Sequence, residues 1–307
     1  MSCLIHKGKL CPRTLEYSAA YHCNLACNQC SHLSPYTAPR FPEPDSLRAD
    51  LARLEPVLHT PEFRLLGGEP LLNPDLTLLA QIVRDSGIAD TIAITTHGVR
   101  LHRMDHELWE QIDTLRVTIY PGAAPSATTM ATTLARARAT NTTLCVTRRP
   151  SFRSFTLPDP QPDDWTARLL FRACQTAHVR QCHMLSDGRL FLCAVPLGLK
   201  QFLFRLGVQD YDSAADGFDI HGVDDLVGGL NAYLNSPRPL ECCRYCLGDA
   251  GIWTEHRQLK RAELENPSLL PVARGTHLSP VRLLRNLAVR TYGDLRHAVG
   301  CSHSWLR

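Results

Sequence analysis

The chain has 307 residues, of which 44% are hydrophobic, and this is enough apolar material for one large domain or a barrel with a small appendage. The 33 Lys and Arg residues nearly balance the 30 Asp and Glu residues, so nucleic acid is not the expected partner. Residues 1–20 lack the apolar run of a signal peptide, and no stretch reaches the roughly 18 apolar residues of a membrane span. These features predict a soluble cytoplasmic protein.

Short apolar or β-branched runs alternate with helical patterns from residue 14 to about residue 150, which is typical of βαβ units. Strands are predicted near residues 14–20, 62–66, 91–96, 114–119 and 142–147. The spacing of apolar residues predicts crossover helices over residues 45–58, 73–84 and 124–140. The predicted fold is therefore α/β, an open sheet or a partial barrel, with motifs at the carboxyl ends of strands facing one site.

A second, smaller part of the chain is predicted to follow a proline-rich linker at about residues 150–165. Residues 183–193 have the pattern of a β-hairpin, with Asp187 and Gly188 at its turn. Residues 280–298 predict a basic amphipathic helix that packs on the body and leaves its charged face in solvent. These features divide the chain into three predicted parts: 14–165, 166–255 and a helical tail over 256–307.

The chain contains 13 cysteines, and most of them are grouped at residues 23–30, 174–193 and 242–246. Grouping at short spacing indicates metal binding, whereas disulfides would need an oxidising compartment that the sequence does not suggest. The isolated cysteines are expected to be structural, and these are Cys3, Cys11, Cys145 and Cys301.

Cys23, Cys27 and Cys30 follow the first predicted strand in the order CxxxCxxC. Three thiolates at this spacing can bind three irons of a cubane cluster, and the missing fourth ligand leaves one iron open to a small molecule. Zinc is the alternative for the triplet alone, because His22 or His32 could complete a site with four ligands.

Gly67, Gly68, Glu69 and Pro70 form a turn at the end of the second predicted strand, on the side where the cysteine loop also emerges. Two glycines allow the backbone to approach a ligand closely, and the Glu69 carboxylate can accept an ammonium group. A Gly-Gly turn alone is a common structural device. Its position one strand after the cysteine triplet favours a shared site.

This cysteine loop and the Gly-Gly-Glu-Pro turn, in this order, resemble the radical S-adenosylmethionine (SAM) superfamily over roughly residues 14–150. The resemblance implies a partial (β/α)6 barrel and a [4Fe-4S] cluster held by Cys23, Cys27 and Cys30. It also implies that the SAM amine and carboxylate chelate the open iron, with Gly67, Gly68 and Glu69 holding the amine. Reductive cleavage of SAM would then give a 5'-deoxyadenosyl radical.

The resemblance also identifies positions near the cofactor. Thr96 ends the third predicted strand and would line the SAM pocket. His97 follows it where family members often have Asn, and Gln29 stands where the family more often has an aromatic side chain near the adenine. Both departures affect contacts with adenine rather than the chemistry.

The late cysteines resemble the twitch or SPASM extension of this superfamily, which binds an auxiliary [4Fe-4S] cluster beyond the barrel. The resemblance rests on the pattern Cys-x13-Gly-x4-Cys through Gly188 and on a later CxxC pair. On this analogy the ligands are Cys174, Cys193, Cys243 and Cys246. Cys182 lies six residues before Gly188 and could replace Cys174. A zinc knuckle is the alternative, because CxxC with two distant cysteines suits zinc equally well.

Six late cysteines for four ligand positions leave two over, and one of these two could be reactive. In an extended segment Cys242 and Cys243 would point to opposite sides, so Cys242 could face the barrel mouth and donate a hydrogen atom to a substrate radical. Cys182 and then Cys246 are the next candidates for this role. Packed structural roles for Cys242 and Cys182 are the alternative.

Residues 30–35 and the twitch-like ending also resemble enzymes of sugar and aminoglycoside pathways, in particular epimerases of the neomycin C type. The resemblance implies inversion of a sugar carbon, a small-molecule substrate and an electron donor such as flavodoxin or ferredoxin. A polycationic substrate favours a pocket rich in carboxylates, for which Glu16 on the first strand is a candidate.

Two other classes of function remain open. A radical sugar dehydrogenase, a decarboxylase or a peptide-modifying maturase would use the same first cluster. A zinc- or cluster-bearing binding protein would not be an enzyme and would have no need of Glu69.

Overall fold

The computed structural model describes residues 4–6, 8–161, 163–272 and 275–298. The strands found in these residues, β1 to β12 in chain order, are Leu4–His6, Lys9–Cys11, Thr14–Ala20, Thr60–Gly67, Ala89–Thr96, Thr114–Ile119, Thr143–Arg148, Ser151–Arg153, Cys182–Ser186, Arg189–Phe191, Phe218–Asp219 and Trp253–Glu255. The helices found there, α1 to α9, are Pro44–Leu54, Leu76–Ser86, His106–Gln111, Ala127–Ala139, Asp164–Arg172, Val195–Arg205, Leu226–Leu234, Arg261–Glu265 and Pro280–Ala298.

The central sheet has eight strands in the order β11-β10-β9-β3-β4-β5-β6-β7. The strands from β9 to β7 are parallel, and β10 and β11 extend the β9 edge as antiparallel neighbours. Helices α1 to α4 are the crossovers between β3 and β7. The predicted α/β class with a mostly parallel sheet is confirmed, and the sheet is consistent with a partial barrel. The sixth parallel strand, β9, lies beside the first rather than after the fifth.

The five predicted strands correspond to β3 through β7, and the predicted tail helix is α9. Helix α1 ends at Leu54, four residues before the predicted end, because Pro56 removes a backbone donor. Helix α2 begins only at Leu76, because the Asn73 side chain accepts a hydrogen bond from Asp75 N at 2.8 Å and forms a turn before the helix. The short helix α3 was not predicted from the sequence.

Successive side chains of β3 point to opposite faces of the sheet. One face packs against the helices, and the opposite face is called the inner face below. Leu15 and Tyr17 are buried in the same apolar cluster as Leu47 and Leu51 of α1. Glu16, between them in sequence, points to the opposite face of the sheet. The helices therefore cover one face, and the other face carries Glu16 together with buried apolar side chains such as Leu66 and Met184.

Charged side chains on the inner face are paired with one another. Arg64 Nη1 donates to Glu16 Oε1 at 2.7 Å, so Glu16 has a protein partner instead of being free for a cationic substrate. Glu62 pairs with Arg64 and also with Arg116. The two carboxylates and two guanidinium groups leave this part of the inner face electrically balanced.

The predicted linker at residues 150–165 is wrong. Strand β8 in this segment pairs with β12, and Phe155 and Thr156 are buried. The prolines interrupt the βαβ alternation, but the backbone between them is tied to the late part of the chain. The prolines therefore end the βαβ alternation, but the segment that contains them is paired and buried rather than a linker.

The predicted hairpin is confirmed as β9 and β10, with Ser186 paired to Arg189. Asp187 and Gly188 have φ angles of 49° and 73°, as a two-residue type I′ turn requires. The hairpin extends the main sheet, which therefore crosses the predicted boundary at residue 165. Cys3 and Cys301 lie outside the described residues. Among the residues that the structure does describe, no helix combines the length and the apolar character needed to cross a bilayer.

Candidate functional site

The predicted cluster loop follows the carboxyl end of β3. Cys27 is buried, and Cys23 and Cys30 are half-buried. Burial is the main cause that raises the pKa of Cys27 to about 12, and the neighbouring Cys30 thiol adds to the shift. Burial also raises the pKa of Cys23, to which the thiols of Cys30 and Cys27 add, although a hydrogen bond from Leu25 N at 3.3 Å opposes the shift. The three thiols therefore lie within electrostatic reach of one another.

Over the described residues, no three Cys, His, Asp or Glu side chains converge as closely as a bound metal ion would require. Ligation by Cys23, Cys27 and Cys30 therefore stays a prediction. The loop fits a cubane in its chemistry, because it offers three soft thiol ligands and an N–H donor to one sulfur. His22, one of the two histidines that could complete a zinc site, packs its ring against Phe41.

Gly67 and Gly68 let the turn after β4 pack directly on the cysteine loop. A Cβ on Gly68 would lie 1.9 Å from His22 O and 2.9 Å from Cys23 N, and one on Gly67 would lie 2.2 Å from Ala20 O. The close approach is fixed by hydrogen bonds from Gly68 N to Ala20 O at 2.7 Å and from Glu69 N to His22 O at 3.1 Å. Any side chain at residue 68 would therefore push the cysteine loop away.

Glu69 is fully buried beneath this turn. Its Oε1 accepts from Leu71 N at 3.0 Å and from Thr96 Oγ1 at 2.6 Å, and its Oε2 accepts from His97 N at 3.1 Å. Burial raises the pKa of Glu69 to about 7, although these hydrogen bonds oppose the shift. These contacts tie both carboxylate oxygens to the protein, and a contact with the SAM amine stays a prediction.

His97 connects the turn to the cysteine loop. Its Nδ1 accepts from Val99 N at 3.2 Å, which places the ring proton on Nε2. Nε2 lies 2.9 Å from Asn24 Oδ1 and 3.0 Å from Glu69 Oε2, so it can donate to both. Burial lowers the pKa of His97 to about 4 and keeps the ring neutral. The departure from the family pattern at residue 97 thus has a structural role.

Gln29, the second departure, turns into the protein. Its Oε1 accepts from Phe155 N at 2.9 Å and from Thr156 N at 3.3 Å, and its Nε2 donates to Pro271 O at 3.4 Å. Its φ of 59° is in the left-handed region. The amide is therefore committed to holding the 155–156 segment against the cysteine loop.

A further segment that the sequence reasoning missed, residues 256–259, lies along the cysteine loop. His256 Nε2 is 3.2 Å from Cys27 Sγ. Gln258 Nε2 donates to the same sulfur at 3.6 Å, and its Oε1 accepts from Ala26 N at 2.6 Å. His256 is 229 residues from Cys27 in sequence, so no motif spacing could have indicated the contact.

The late cysteines meet in one pocket. Five thiols and several apolar side chains line it, and the thiols are those of Cys174, Cys193, Cys242, Cys243 and Cys246. The four proposed ligands therefore line one pocket, although no three of these described side chains lie as close together as a bound metal ion requires. Cys182 is not among them, because its thiol lies beside Glu16 and Arg64. These positions favour Cys174 over Cys182 as a ligand.

Cys242 does not turn away from its neighbours. Residues 241–245 form a 3-10 helix rather than the extended segment on which the prediction of opposite sides depended. Cys242 is 1% exposed, and contacts with the thiols of Cys193 and Cys243 raise its pKa. The prediction that Cys242 faces away from the other late cysteines is wrong.

Groups around this pocket act on its thiols in opposite directions. Burial and the Asp249 carboxylate raise the pKa of Cys174, whereas a backbone N–H group near Cys246 favours a thiolate. Gly248 N donates to Cys246 Sγ at 3.1 Å, as backbone amides often do around iron-sulfur clusters. Asp249 Oδ2 lies 3.8 Å from Cys174 Sγ. Burial favours a protonated Asp249, but the guanidinium groups of Arg180 and Arg153 hold its pKa below the usual range. Binding of a second cluster here remains a proposal.

Comparison with known families matches residues 17–131 to the Radical SAM superfamily. This stretch contains the first cysteine triplet, the Gly-Gly-Glu-Pro turn and Thr96, and it ends before the late cysteines. The match supports a radical SAM enzyme, and the superfamily implies SAM and one [4Fe-4S] cluster as cofactors.

Curated relatives match only part of the chain. Molybdenum cofactor biosynthesis protein 1 of Bos taurus is 37% identical over 95 residues, which cover 29% of this chain and 14% of that protein. GTP 3',8-cyclase of Haemophilus ducreyi is 33% identical over 101 residues, which cover 32% of this chain and 29% of that protein. The chain thus matches less than a third of the length of these relatives.

Two solved structures align over more of the chain. BtrN in complex with AdoMet and 2-DOIA is 15% identical, with a TM-score of 0.46 and coverage of 81% of this chain and 96% of that chain. His6-tagged anSMEcpe with bound AdoMet is 10% identical, with a TM-score of 0.46 and coverage of 93% and 98%. Likeness at this level carries no conclusion about activity.

Proposed function

We propose that this radical SAM enzyme inverts one carbon of an aminoglycoside or related sugar, and that Cys242 returns the hydrogen atom. The observation that carries the proposal is the pocket of five thiols, because a cubane held by protein needs four ligands and one thiol remains. The proposed ligands of this second [4Fe-4S] cluster are Cys174, Cys193, Cys243 and Cys246.

When bound, the first cluster and SAM supply a 5'-deoxyadenosyl radical that can take hydrogen from an unactivated sugar carbon. His97 and Gly68 hold the cysteine loop and the neighbouring turn in register for this chemistry. Cys242 then donates a hydrogen atom from its S–H bond to the opposite face of the carbon. A C–H bond forms, and a thiyl radical remains on Cys242. A second electron, from a flavodoxin or ferredoxin, and one proton restore the thiol.

The charge balance of the inner face bears on the substrate class. Glu16 and Glu62 are neutralised by Arg64 and Arg116, so this part of the sheet offers no excess of carboxylates. A polycation would gain little electrostatic stabilisation there. We therefore place a sugar with few positive charges ahead of a highly charged aminoglycoside.

Turnover in deuterated water tests the proposal. The product should carry one deuterium at the inverted carbon, because a thiol hydrogen exchanges with solvent. Cys242→Ala should still release 5'-deoxyadenosine but yield no epimer. Cys182→Ala is the matched control, since Cys182 is also a free thiol but lies beside Glu16, and this variant should behave like the wild type. Normal epimerisation by Cys242→Ala would show that another residue is the donor.

The burial of Cys242 favours a second candidate function, a sugar dehydrogenase. A thiol that is 1% exposed and touches Cys193 and Cys243 is well suited to a place among cluster ligands or in the core. The substrate radical would then give one electron to the proposed second cluster and its hydroxyl proton to solvent, and become a ketone. Mass spectrometry separates the two functions, because the epimer keeps the substrate's atoms and the ketone has lost two hydrogens.

A further inference from the structure

The imidazole of His256 is fixed beside the cluster loop. It directly follows β12, and its backbone N donates to Pro150 O at 2.8 Å. The ring stacks on Tyr120 at 5.0 Å and 13°, and it meets Phe152 at 5.1 Å and 54°. Two aromatic neighbours and 8% exposure leave the ring little freedom to turn.

The polar contact of this ring is with sulfur. Nε2 lies 3.2 Å from Cys27 Sγ, whereas Nδ1 is buried and has no hydrogen-bond partner among the described residues. A cysteine that binds iron is a thiolate and has no proton to give. With iron bound, the contact can only be an N–H group of His256 donating to Cys27 Sγ.

The backbone around His256 holds this contact in register. Asn28 N donates to Arg257 O at 2.9 Å, and Leu259 N donates to Ala26 O at 2.6 Å. Cys27 and Gln258 form the antiparallel bridge between these two hydrogen bonds. The two segments thus form a short ladder, and Gln258 Nε2 adds a longer N–H contact to Cys27 Sγ at 3.6 Å.

We propose that His256 is a positioning residue that raises the reduction potential of the first cluster through its hydrogen bond to Cys27. The inference rests on ligation of that cluster by Cys27, as in the proposed function. Reduction adds negative charge that is shared by the cluster sulfurs, and an N–H dipole aimed at one sulfur stabilises the reduced form more than the oxidised form. Loss of the donor should therefore make the cluster harder to reduce.

A redox titration followed by electron paramagnetic resonance tests the proposal on the reconstituted full chain. The first cluster is identified by the signal that changes when SAM is added, because SAM requires an open iron. His256→Phe keeps a ring against Tyr120 and Phe152 but removes the donor. At a fixed potential its ratio of reduced to oxidised cluster should fall about tenfold, a shift of about 59 mV for one electron.

Two further variants separate the hydrogen bond from packing. His256→Gln keeps an N–H group and should recover most of the wild-type potential. Phe152→Leu disturbs the same aromatic group without touching the sulfur, and it should leave the potential unchanged. An unchanged potential in His256→Phe overturns the inference, and so does an equal shift in Phe152→Leu.

A measurement on the wild type decides the matter if His256→Phe fails to bind iron. Protein labelled with nitrogen-15 in histidine should show a weak nitrogen coupling to the reduced, SAM-responsive cluster in pulsed resonance spectra, and the coupling should vanish in His256→Gln. Absence of the coupling in the wild type overturns the inference. If the wild type gives no SAM-responsive signal at all, the assignment of the first cluster fails instead.

Discussion

The two groups of cysteines in this protein are held in different ways. The first group lies on one short loop, which main-chain contacts tie to the turn at Gly68 and to residues 256–259. The second group comes from separate segments and meets in a pocket with apolar walls. Ligand spacing in a sequence therefore identifies a site whose ligands share a loop. It says much less about a site that only the complete fold assembles.

The same difference predicts how each site can be broken. The first depends on backbone packing, so a single Cβ in the wrong place should disrupt it. The second depends on which thiols the fold brings together, so the loss of a ligand should matter and the loss of a distant cysteine should not.

Gly68→Ala should have the largest effect. Its Cβ would meet the backbone of His22 and Cys23, which cannot move without displacing the cysteine loop. We expect destabilisation by about 3 kcal/mol and loss of SAM cleavage. Gly275→Ala is the matched control, because a Cβ there meets no atom within 4 Å. Unfolding in urea and release of 5'-deoxyadenosine measure both effects, and an active Gly68→Ala protein would contradict the packing argument.

Cys174→Ala tests the second site. In a chain whose Cys23, Cys27 and Cys30 are replaced by Ala, we expect about four irons to remain, as one cubane contains. Adding Cys174→Ala should remove most of this iron, whereas adding Cys182→Ala should not. Iron and sulfide analysis after anaerobic reconstitution gives the answer. Zinc in place of iron, or equal loss in both variants, would defeat the assignment.

Much of the fold could be predicted from the sequence because its signals are local. Short apolar or β-branched runs predict β3 to β7, and Asp187-Gly188 predicts the hairpin turn. The proline-rich segment was misassigned because its partner, β12, lies far away in the chain and leaves no local pattern. The position of β9 beside β3 is likewise a property of the assembled sheet.

The candidate site divides along the same line. The triplet and the glycine turn are each a contiguous motif that can be recognised in the sequence, and the two lie side by side in the fold. The predicted orientation of Cys242 is wrong because it depends on an extended backbone, whereas residues 241–245 form a 3-10 helix. Spacing alone does not distinguish Cys182 from Cys174, and only the fold separates their positions. His256 and Gln258 act through contacts with Cys27 that no motif describes.

The stability difference between the wild type and Glu69→Gln should depend on pH, because the Glu69 carboxyl is buried. Folding raises the pKa of Glu69 from its ordinary value of 4.5 to about 7, so between these values the folded chain keeps a proton that the unfolded chain loses. The stability contributed by Glu69 is therefore present below pH 4.5 and is lost as pH rises through about 7. As pH rises from 4.5 to about 7, we expect the free energy of unfolding of the wild type, relative to that of Glu69→Gln, to fall by up to about 3 kcal/mol.

Glu62→Gln provides a control of opposite sign. Burial disfavours the Glu62 carboxylate, but Arg116 and Arg64 hold its pKa below the usual range. Its contribution to stability should therefore appear as pH rises above the ordinary value and be lost in acid. Urea midpoints of the metal-free proteins between about pH 4 and pH 8 measure both slopes. A Glu69 difference that is flat with pH would show that its hydrogen bonds outweigh its burial.

Gln29→Leu probes the place where the two regions meet. Gln29 Oε1 holds Phe155 N and Thr156 N, while Phe155 O accepts from Leu247 N at 2.7 Å, next to Cys246. The substitution leaves two buried N–H groups without their acceptor, which should cost about 2 kcal/mol.

Gln161→Leu is the matched control for this prediction. Gln161 is equally buried at 9%, but its Nε2 makes no hydrogen bond among the described residues, so its loss should change stability little. Each cysteine group has its own supports, His256 for one and Gly248 for the other, and so both sites should still bind iron in Gln29→Leu. Urea unfolding and iron analysis measure these outcomes. If Gln29→Leu emptied the late pocket of iron, the two sites would depend on one shared support, and the contrast between them would fail.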